Sequence, residues 1–284
     1  MDSELPRVVE GMSSADYFAQ NDFDSRSFAV SVMRYGGAAQ KWMDDGHSIF
    51  SGNSATKLGT KFDTVIMSIA AGFDIDKVIV TPPAEVLTSN GQRRGNAYEA
   101  WKSKLREYEV DCNEDEAFLL RTMTEHTLAN KAARDLVERT TDTQLSVFFE
   151  IDGHRLKCRP DGVIAGEMWW DLKSTSATWD RVASSVLDYG YGEQEWLYVE
   201  GAKQIGFSHF RMPFVFTQTV PPYECRVFYL PEEYVAEAGQ RMLRVLEEIR
   251  LRRKTGEYMP VDHGEITELS IPQWAIRKSE EVAV

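Results

Sequence analysis

The residues that could do chemistry lie close together in the second half of the chain. Cys158-Arg159-Pro160-Asp161 is followed, ten residues after the aspartate, by Asp171-Leu172-Lys173. Side chains two apart on a strand share a face, so Asp171 and Lys173 project together while Leu172 enters the core. A short turn at Ala165-Gly166-Glu167 would make the two segments antiparallel neighbours and bring the Asp161 and Asp171 carboxylates toward one point beside the Lys173 ammonium. Two hard oxygen ligands with open positions suit Mg²⁺ or Mn²⁺, which keep waters and bind substrate phosphate directly. A lysine at such a centre can position or activate an attacking water and offset charge in the transition state. The plain alternative is a surface salt bridge on a hairpin. Asp-Leu-Lys alone carries little weight; an Arg-Pro-Asp ending one strand, a short turn and apolar flanks around the triplet set it apart.

These residues need a sheet and helices to hold them. The first half of the sequence reads as helical. Ser25 can cap a helix to about Asp45, and Ser54 can cap a second in which Leu58, Phe62, Val65, Ile66 and Ile69 form an apolar stripe. A short strand is expected at 77–81, and helices at about 95–109 and 114–138. At Gln144 the period changes from 3.6 to 2: Leu145, Val147, Phe149 and Ile151 alternate toward Asp152-Gly153, a strong hairpin signal. The return strand is expected over 155–161 and a third over 168–174. Helices at about 176–188 and 192–204, strands at 209–217 and 224–230, and a helix from Pro231 to about Lys254 complete the reading. The simplest division is one α+β domain over 1–284, with a helical portion to about 140, a catalytic core at about 141–255 and a tail at 256–284.

Composition narrows the classes. The 284 residues are 43% hydrophobic and 27% charged, ordinary for a folded protein. Apolar runs such as Val78-Ile79-Val80 end far short of the ~20 residues of a membrane span. The acidic first twenty residues do not read as a signal peptide. Cys112, Cys158 and Cys225 lack CxxC spacing, which argues against a disulfide framework and fits a reducing cytoplasm. His47, His126, His154, His209 and His263 show no metal spacing. A net charge of −13 rules out non-specific coating of nucleic acid; any polyanion must meet a local basic groove, for which Arg155, Lys157 and Arg159 are candidates.

The Cys-Arg-Pro-Asp and Asp-Leu-Lys-Ser-Thr segments together resemble the core of the PD-(D/E)XK nuclease superfamily. Downstream, Gln194-Glu-Trp-Leu-Tyr198 resembles the Gln-x-x-x-Tyr helix of its branch containing RecE-type exonucleases, RecB-type nuclease domains and Cas4-like proteins. Upstream, Leu58-Gly-Thr-Lys-Phe-Asp63 is similar to a Gly-Thr-x-x-His segment of the RecE-like group, with aspartate in place of histidine. The similarity spans about 25–255 and is most specific over 144–203. It implies a restriction-endonuclease-like core, a mixed central sheet flanked by helices. It also implies metal ligation by Asp63, Asp161, Asp171 and the Leu172 carbonyl, and catalysis by Asp161, Asp171, Lys173 and Gln194. DNA contacts would come from Arg93, Arg94, Arg159, Thr175 and Tyr198. Gln144 stands where the family has a further glutamate.

The resemblance implies a Mg²⁺-dependent deoxyribonuclease, with Mn²⁺ as substitute, resecting linear duplex DNA 5′→3′ for phage-type recombination. Duplex ends, a single-strand annealing protein and further copies of the chain in a ring are the implied partners. A bacterial or phage-infected cytoplasm is the implied location. The alternatives are a structure-specific or Cas4-like endonuclease, and a non-catalytic DNA-binding protein retaining the fold. For Asp63 a solvated helix position is the alternative, for Gln194 and Tyr198 ordinary packing, and for Arg93 and Arg94 a charged loop. Arg250–Lys254 reads first as helix capping. Trp169, Trp170, Trp179 and Trp196 read as core.

Overall fold

The computed structural model describes residues 4–49, 54–259 and 265–271; much of the expected tail, His263 included, lies outside them. From the N-terminus, β1 (Arg7–Val9), α1 (Ser14–Phe18) and β2 (Asp24–Ser25) lead into α2 (Arg26–Asp44) and α3 (Ser54–Ala70). A small unit comes next, α4 (Ile75–Val78), β3 (Ile79–Val80), α5 (Asn96–Lys102) and β4 (Val110–Asp111), and then α6 (Glu114–Ala129) and α7 (Lys131–Arg139). The strands β5 (Asp142–Thr143), β6 (Ser146–Ile151), β7 (His154–Cys158), β8 (Gly162–Ile164) and β9 (Met168–Thr175) succeed it. The chain continues through α8 (Val182–Tyr189), α9 (Tyr191–Gln204), β10 (Phe214–Gln218), β11 (Cys225–Phe228) and α10 (Glu232–Thr255). Among the described residues no helix is long and apolar enough to cross a membrane.

The main strands form two sheets, of order β1-β6-β7-β2 and β11-β10-β9-β8-β5. In the second, β9 and β10 run parallel, joined by the α8–α9 crossover, whereas β8 pairs antiparallel with β9. Successive residues of β9 enter opposite cores. Trp169 packs with Phe149, Leu197, Phe214 and Met242, while Trp170 and Leu172 pack with Phe62, Ile66, Leu120 and Val215. A strand covered on both faces must be apolar on both, and this explains the paired tryptophans, each fully buried. The result is the expected α+β architecture with a mixed central sheet flanked by helices.

Several sequence expectations change. The strand expected over 77–81 is a helical turn, Ile75–Val78, followed by the two-residue strand Ile79–Val80. The strand expected over 155–161 is two strands in different sheets: β7 ends at Cys158 and pairs with β6, and β8 begins at Gly162 beside β9. Pro160 lacks the N–H needed to continue a ladder, and the chain changes sheet there. The helix expected over 114–138 breaks at Asn130, whose side chain accepts from the Ala132 and Ala133 N–H groups at 3.0 and 3.1 Å and donates to the Cys225 carbonyl at 2.9 Å. Such local bonds compete with the helix ladder. Helix α5 stops at Lys102, and β4 pairs with β3 instead of continuing the helix to 109.

Gly162 is needed for space. It pairs with Trp170, and a Cβ there would lie 2.1 Å from the indole nitrogen, which donates to Thr140 Oγ1 at 2.9 Å. Gly162→Ala is therefore expected to destabilise the fold by roughly 1–3 kcal/mol, the usual cost of overpacking. Urea unfolding of the two proteins checks this; an unchanged midpoint would refute the contact.

Candidate active site

The break between β7 and β8 creates the site. Because Gly162 pairs with Trp170, one further step of the register sets Asp161 opposite Asp171. Strand β8 has ended by then, and the Leu172 N–H that faces the gap is taken by Asp161 Oδ2 at 2.7 Å. The N–H and C=O of one strand residue point the same way, so the Leu172 carbonyl lies on this edge too. Asp161 is thus held by the edge of the strand that carries Asp171 and Lys173.

Asp171 and Lys173 are set from the other core. Gln194, on α9, donates from Nε2 to Asp171 Oδ1 at 2.5 Å and accepts from Lys173 Nζ at 3.1 Å through Oε1. Arg26 Nη2 donates to the same Oε1 at 3.0 Å, and Arg26 Nη1 to the Tyr189 carbonyl at 2.9 Å. The Lys173 ammonium sits against Asp171 Oδ2 and 4.6 Å from the Tyr191 ring centroid. Burial alone would lower the lysine pKa, but the Asp171 charge and then Tyr191 outweigh it and hold it above the ordinary value. Lys173 is thus held between Asp171 and Gln194.

Asp63 reaches the same place from α3. Helix and sheet approach closely at Gly59, where a Cβ would come within 2.9 Å of Ser174 Oγ. Asp63 Oδ2 accepts from Gln144 Nε2 at 3.0 Å, whereas Oδ1 is buried with no hydrogen-bond partner. Asp171 Oδ2 likewise has no aligned hydrogen bond despite the adjacent ammonium. Burial, reinforced by the Asp171 charge, pushes the Asp63 carboxyl up to about 7. Burial, then the Asp171 and Asp63 charges, push Asp161 well above the ordinary range. The group behaves as carboxylates short of positive charge. Asp63, Gln144, Arg159, Asp161, Arg26 and Tyr198 line one cleft of about 700 Å³.

The donor chemistry fits a hard divalent cation: orphaned carboxylate oxygens, a strand carbonyl and an open cleft. Among the described residues no group of three or more His, Cys, Asp or Glu side chains converges as a metal cage. Mg²⁺ needs only one or two carboxylates and otherwise keeps water.

The sequence-predicted residues fall into two sets. Asp63, Asp161, Asp171, Lys173 and Gln194 are brought together. Tyr198 donates to the Arg159 carbonyl at 3.1 Å and supports the segment that delivers Asp161. Thr175 Oγ1 accepts from the Ala177 N–H at 3.0 Å, shaping the turn after β9. Arg93 is held elsewhere, by Glu116 at 2.6 Å and Asp111 at 3.6 Å; Arg94 is exposed nearby. The basic channel expected from Arg155, Lys157 and Arg159 is not there. Arg155 lies over the Phe23 ring; Lys157 and Arg159 both border the cleft, but the buried Lys157 ammonium is taken by the Tyr17 and Gln20 carbonyls. Arg26 is a site residue that the sequence does not announce, because a residue after a helix cap carries no signal of a partner 168 positions away.

The fold is thus a mixed sheet flanked by helices, with an Asp, Asp and Lys group at the edge of its five-stranded sheet. The sequence matches no established family profile and no curated protein. Among solved structures the chain is similar to a candidate exonuclease from Eubacterium rectale, at a TM-score of 0.63 and 16% identity over 94% of this chain and 98% of that one. The alkaline exonuclease of Laribacter hongkongensis overlays more loosely, at a TM-score of 0.36 and 12% identity over 95% of this chain and all of that one. At 16% identity what is shared with the first of these is the fold.

The raised carboxyl groups give a pH dependence of definite sign. A carboxyl whose folded pKa exceeds its unfolded value keeps its proton in the folded state while the unfolded chain loses it, so stability falls as pH rises between the two values. For Asp63 that window runs from about 4 to about 7, and Glu195, also raised by burial to about 7, acts in the same direction. Metal-free protein should therefore melt at lower temperature at pH 7 than at pH 5. Asp63→Asn should remove part of the decline, on the order of 4 kcal/mol at most from one group. Melting curves in EDTA from pH 4 to 8 test this, and an identical slope in the variant would count against it.

Proposed function

We propose that the protein is a metal-dependent deoxyribonuclease of the RecE-like exonuclease type, resecting linear duplex DNA 5′→3′ and leaving a 3′ strand for annealing. The observation that carries the reading is the connected group Asp161, Asp171, Lys173 and Gln194 beside Asp63, whose Oδ1 is buried without a hydrogen-bond partner, with Asp63 and Asp161 lining an open cleft. Asp161, Asp171 and the Leu172 carbonyl, with Asp63, would hold Mg²⁺, for which Mn²⁺ can substitute. The ion would supply Lewis-acid polarisation of the scissile phosphate and offset its charge.

The chain's own groups do the rest. Lys173, charged and fixed by Gln194, directs an N–H toward the attacking water and faces the charge that builds on the phosphoryl oxygens. Gln194 sets both Asp171 and Lys173 and is itself held by Arg26. Arg159, which borders the cleft two residues before Asp161, would meet a backbone phosphate. Water adds to phosphorus as the P–O3′ bond breaks, giving a 5′-phosphate and a 3′-hydroxyl. In this reading the partners are duplex ends, a single-strand annealing protein and further copies of the chain in a ring, in a bacterial or phage-infected cytoplasm.

Linear duplex should be degraded with Mg²⁺, covalently closed circles should survive, and EDTA should stop the reaction. Rapid cutting of closed circles would make the protein an endonuclease. Lys173→Ala should fold and lose at least ~10²-fold in rate, the scale for one positioned electrostatic group; full activity in the purified variant would sink the assignment.

The aspartate at 63 gives a further expectation. A third carboxylate favours a hard ion and removes a nitrogen that would favour transition metals. Asp63→Ala should raise the Mg²⁺ needed for half-maximal activity. Asp63→His should recover part of the loss and shift preference toward Mn²⁺. Titration of both variants with each metal decides, and an unchanged Mg²⁺ requirement in Asp63→Ala would make Asp63 a bystander.

A further inference from the structure

We propose that Gln144 is the positioning residue that sets the Asp63 carboxylate for a divalent cation, an inference that rests on the reading of this site as a metal-dependent nuclease centre. Gln144 lies between β5 and β6, where the chain leaves the five-stranded sheet for the four-stranded one. The chain returns at Asp161, and the two crossings are tied together by the Gln144 N–H, which donates to the Asp161 carbonyl at 2.9 Å.

The side chain joins two more parts of the site. Its Nε2 donates to Asp63 Oδ2 at 3.0 Å, and its Oε1 accepts from Arg159 Nη2 at 3.2 Å. Arg159 Nη2 also donates to the Met12 carbonyl at 2.8 Å. A guanidinium only donates and a carboxylate only accepts, so a bridge between them needs one accepting end and one donating end. An amide supplies both. A glutamate could serve Arg159 but not donate to Asp63; a lysine could serve Asp63 but not accept from Arg159.

The bridge determines which Asp63 oxygen is free. With Oδ2 engaged by the amide, Oδ1 is the buried oxygen left without a partner. A neutral amide also separates Arg159 from Asp63, so the guanidinium does not form the direct ion pair that would compete with a cation.

The backbone points the same way. Gln144 has φ +51°, in the left-handed region that is unfavourable for a non-glycine residue. Glycine or asparagine would be the ordinary choice for that conformation. Glutamine is there for what its side chain reaches.

The test is Mg²⁺ binding to the full chain by titration calorimetry, with far-UV circular dichroism as the fold control. Gln144→Ala is expected to bind Mg²⁺ at least ~10-fold more weakly than the parent, the usual effect of losing a group that orients a metal ligand. Gln144→Asn, at ease in the left-handed backbone but one methylene too short to span both partners, should show the same loss should the alanine variant not fold. In an Asp63→Asn background, Gln144→Ala should cause no further loss, because its effect passes through Asp63. A folded Gln144 variant that binds Mg²⁺ as tightly as the parent overturns this inference alone, as do additive losses in the double variant. A parent chain that binds no Mg²⁺ overturns the nuclease reading as well.

Discussion

The site depends on one hydrogen bond at the edge of a strand, from the Leu172 N–H to the Asp161 carboxylate. A strand edge offers unpaired donors and acceptors, which proteins normally cover. Here the covering strand stops one residue early, because Pro160 cannot donate, and an acidic side chain takes the vacant position. That substitution brings Asp161 to Asp171 without a turn of its own and leaves the Leu172 carbonyl on the same edge. The β6–β7 hairpin, inserted between β5 and β8, accounts for the interruption: the chain must leave the sheet and return, and the return point is where the carboxylate is needed.

The electrostatics come from this crowding. Asp63, Asp161 and Asp171 approach from a helix, a sheet crossing and a strand, with the Lys173 ammonium placed beside Asp171. Burial raises the free energy of each charge, and each carboxylate raises its neighbours. Gln194 and Gln144 occupy corresponding positions on the two sides of the sheet. Each is neutral, each contacts an arginine and a carboxylate, and each orients a charge without cancelling it.

Much of this is legible in the sequence, for identifiable reasons. The Asp-Leu-Lys triplet lies on a strand with tryptophans at both preceding positions, α2 keeps its Ser25 cap and α3 its apolar stripe. The split of the 155–161 segment is not legible. Leu156, Cys158 and Pro160 alternate as one strand would, and only tertiary pairing shows that the chain changes partners at Pro160. Strands β1, β2, β4 and β5 have two or three residues each, too few for a period to register. Arg26 and the bridging role of Gln144 depend on contacts across 168 and 81 positions, which local pattern does not encode. Lys157 misleads for a related reason: alternation places it on a polar face, but α1 and the loop after it cover that face and take its ammonium.

The small unit between α3 and α6 has a sheet of its own. Its strands β3 and β4 pair with each other and with neither main sheet, and its Arg93 is anchored to Glu116 at the start of α6. Residues 75–111 are nonetheless tied into the core by Val78, Ile79 and Val110, which pack with Phe62, Ile66 and Leu120. The same segment brings Glu107 and Tyr108 to the wall of the cleft. A change of length or charge between its two buried strands would therefore alter that wall while Asp63 and the strand edge stay where they are.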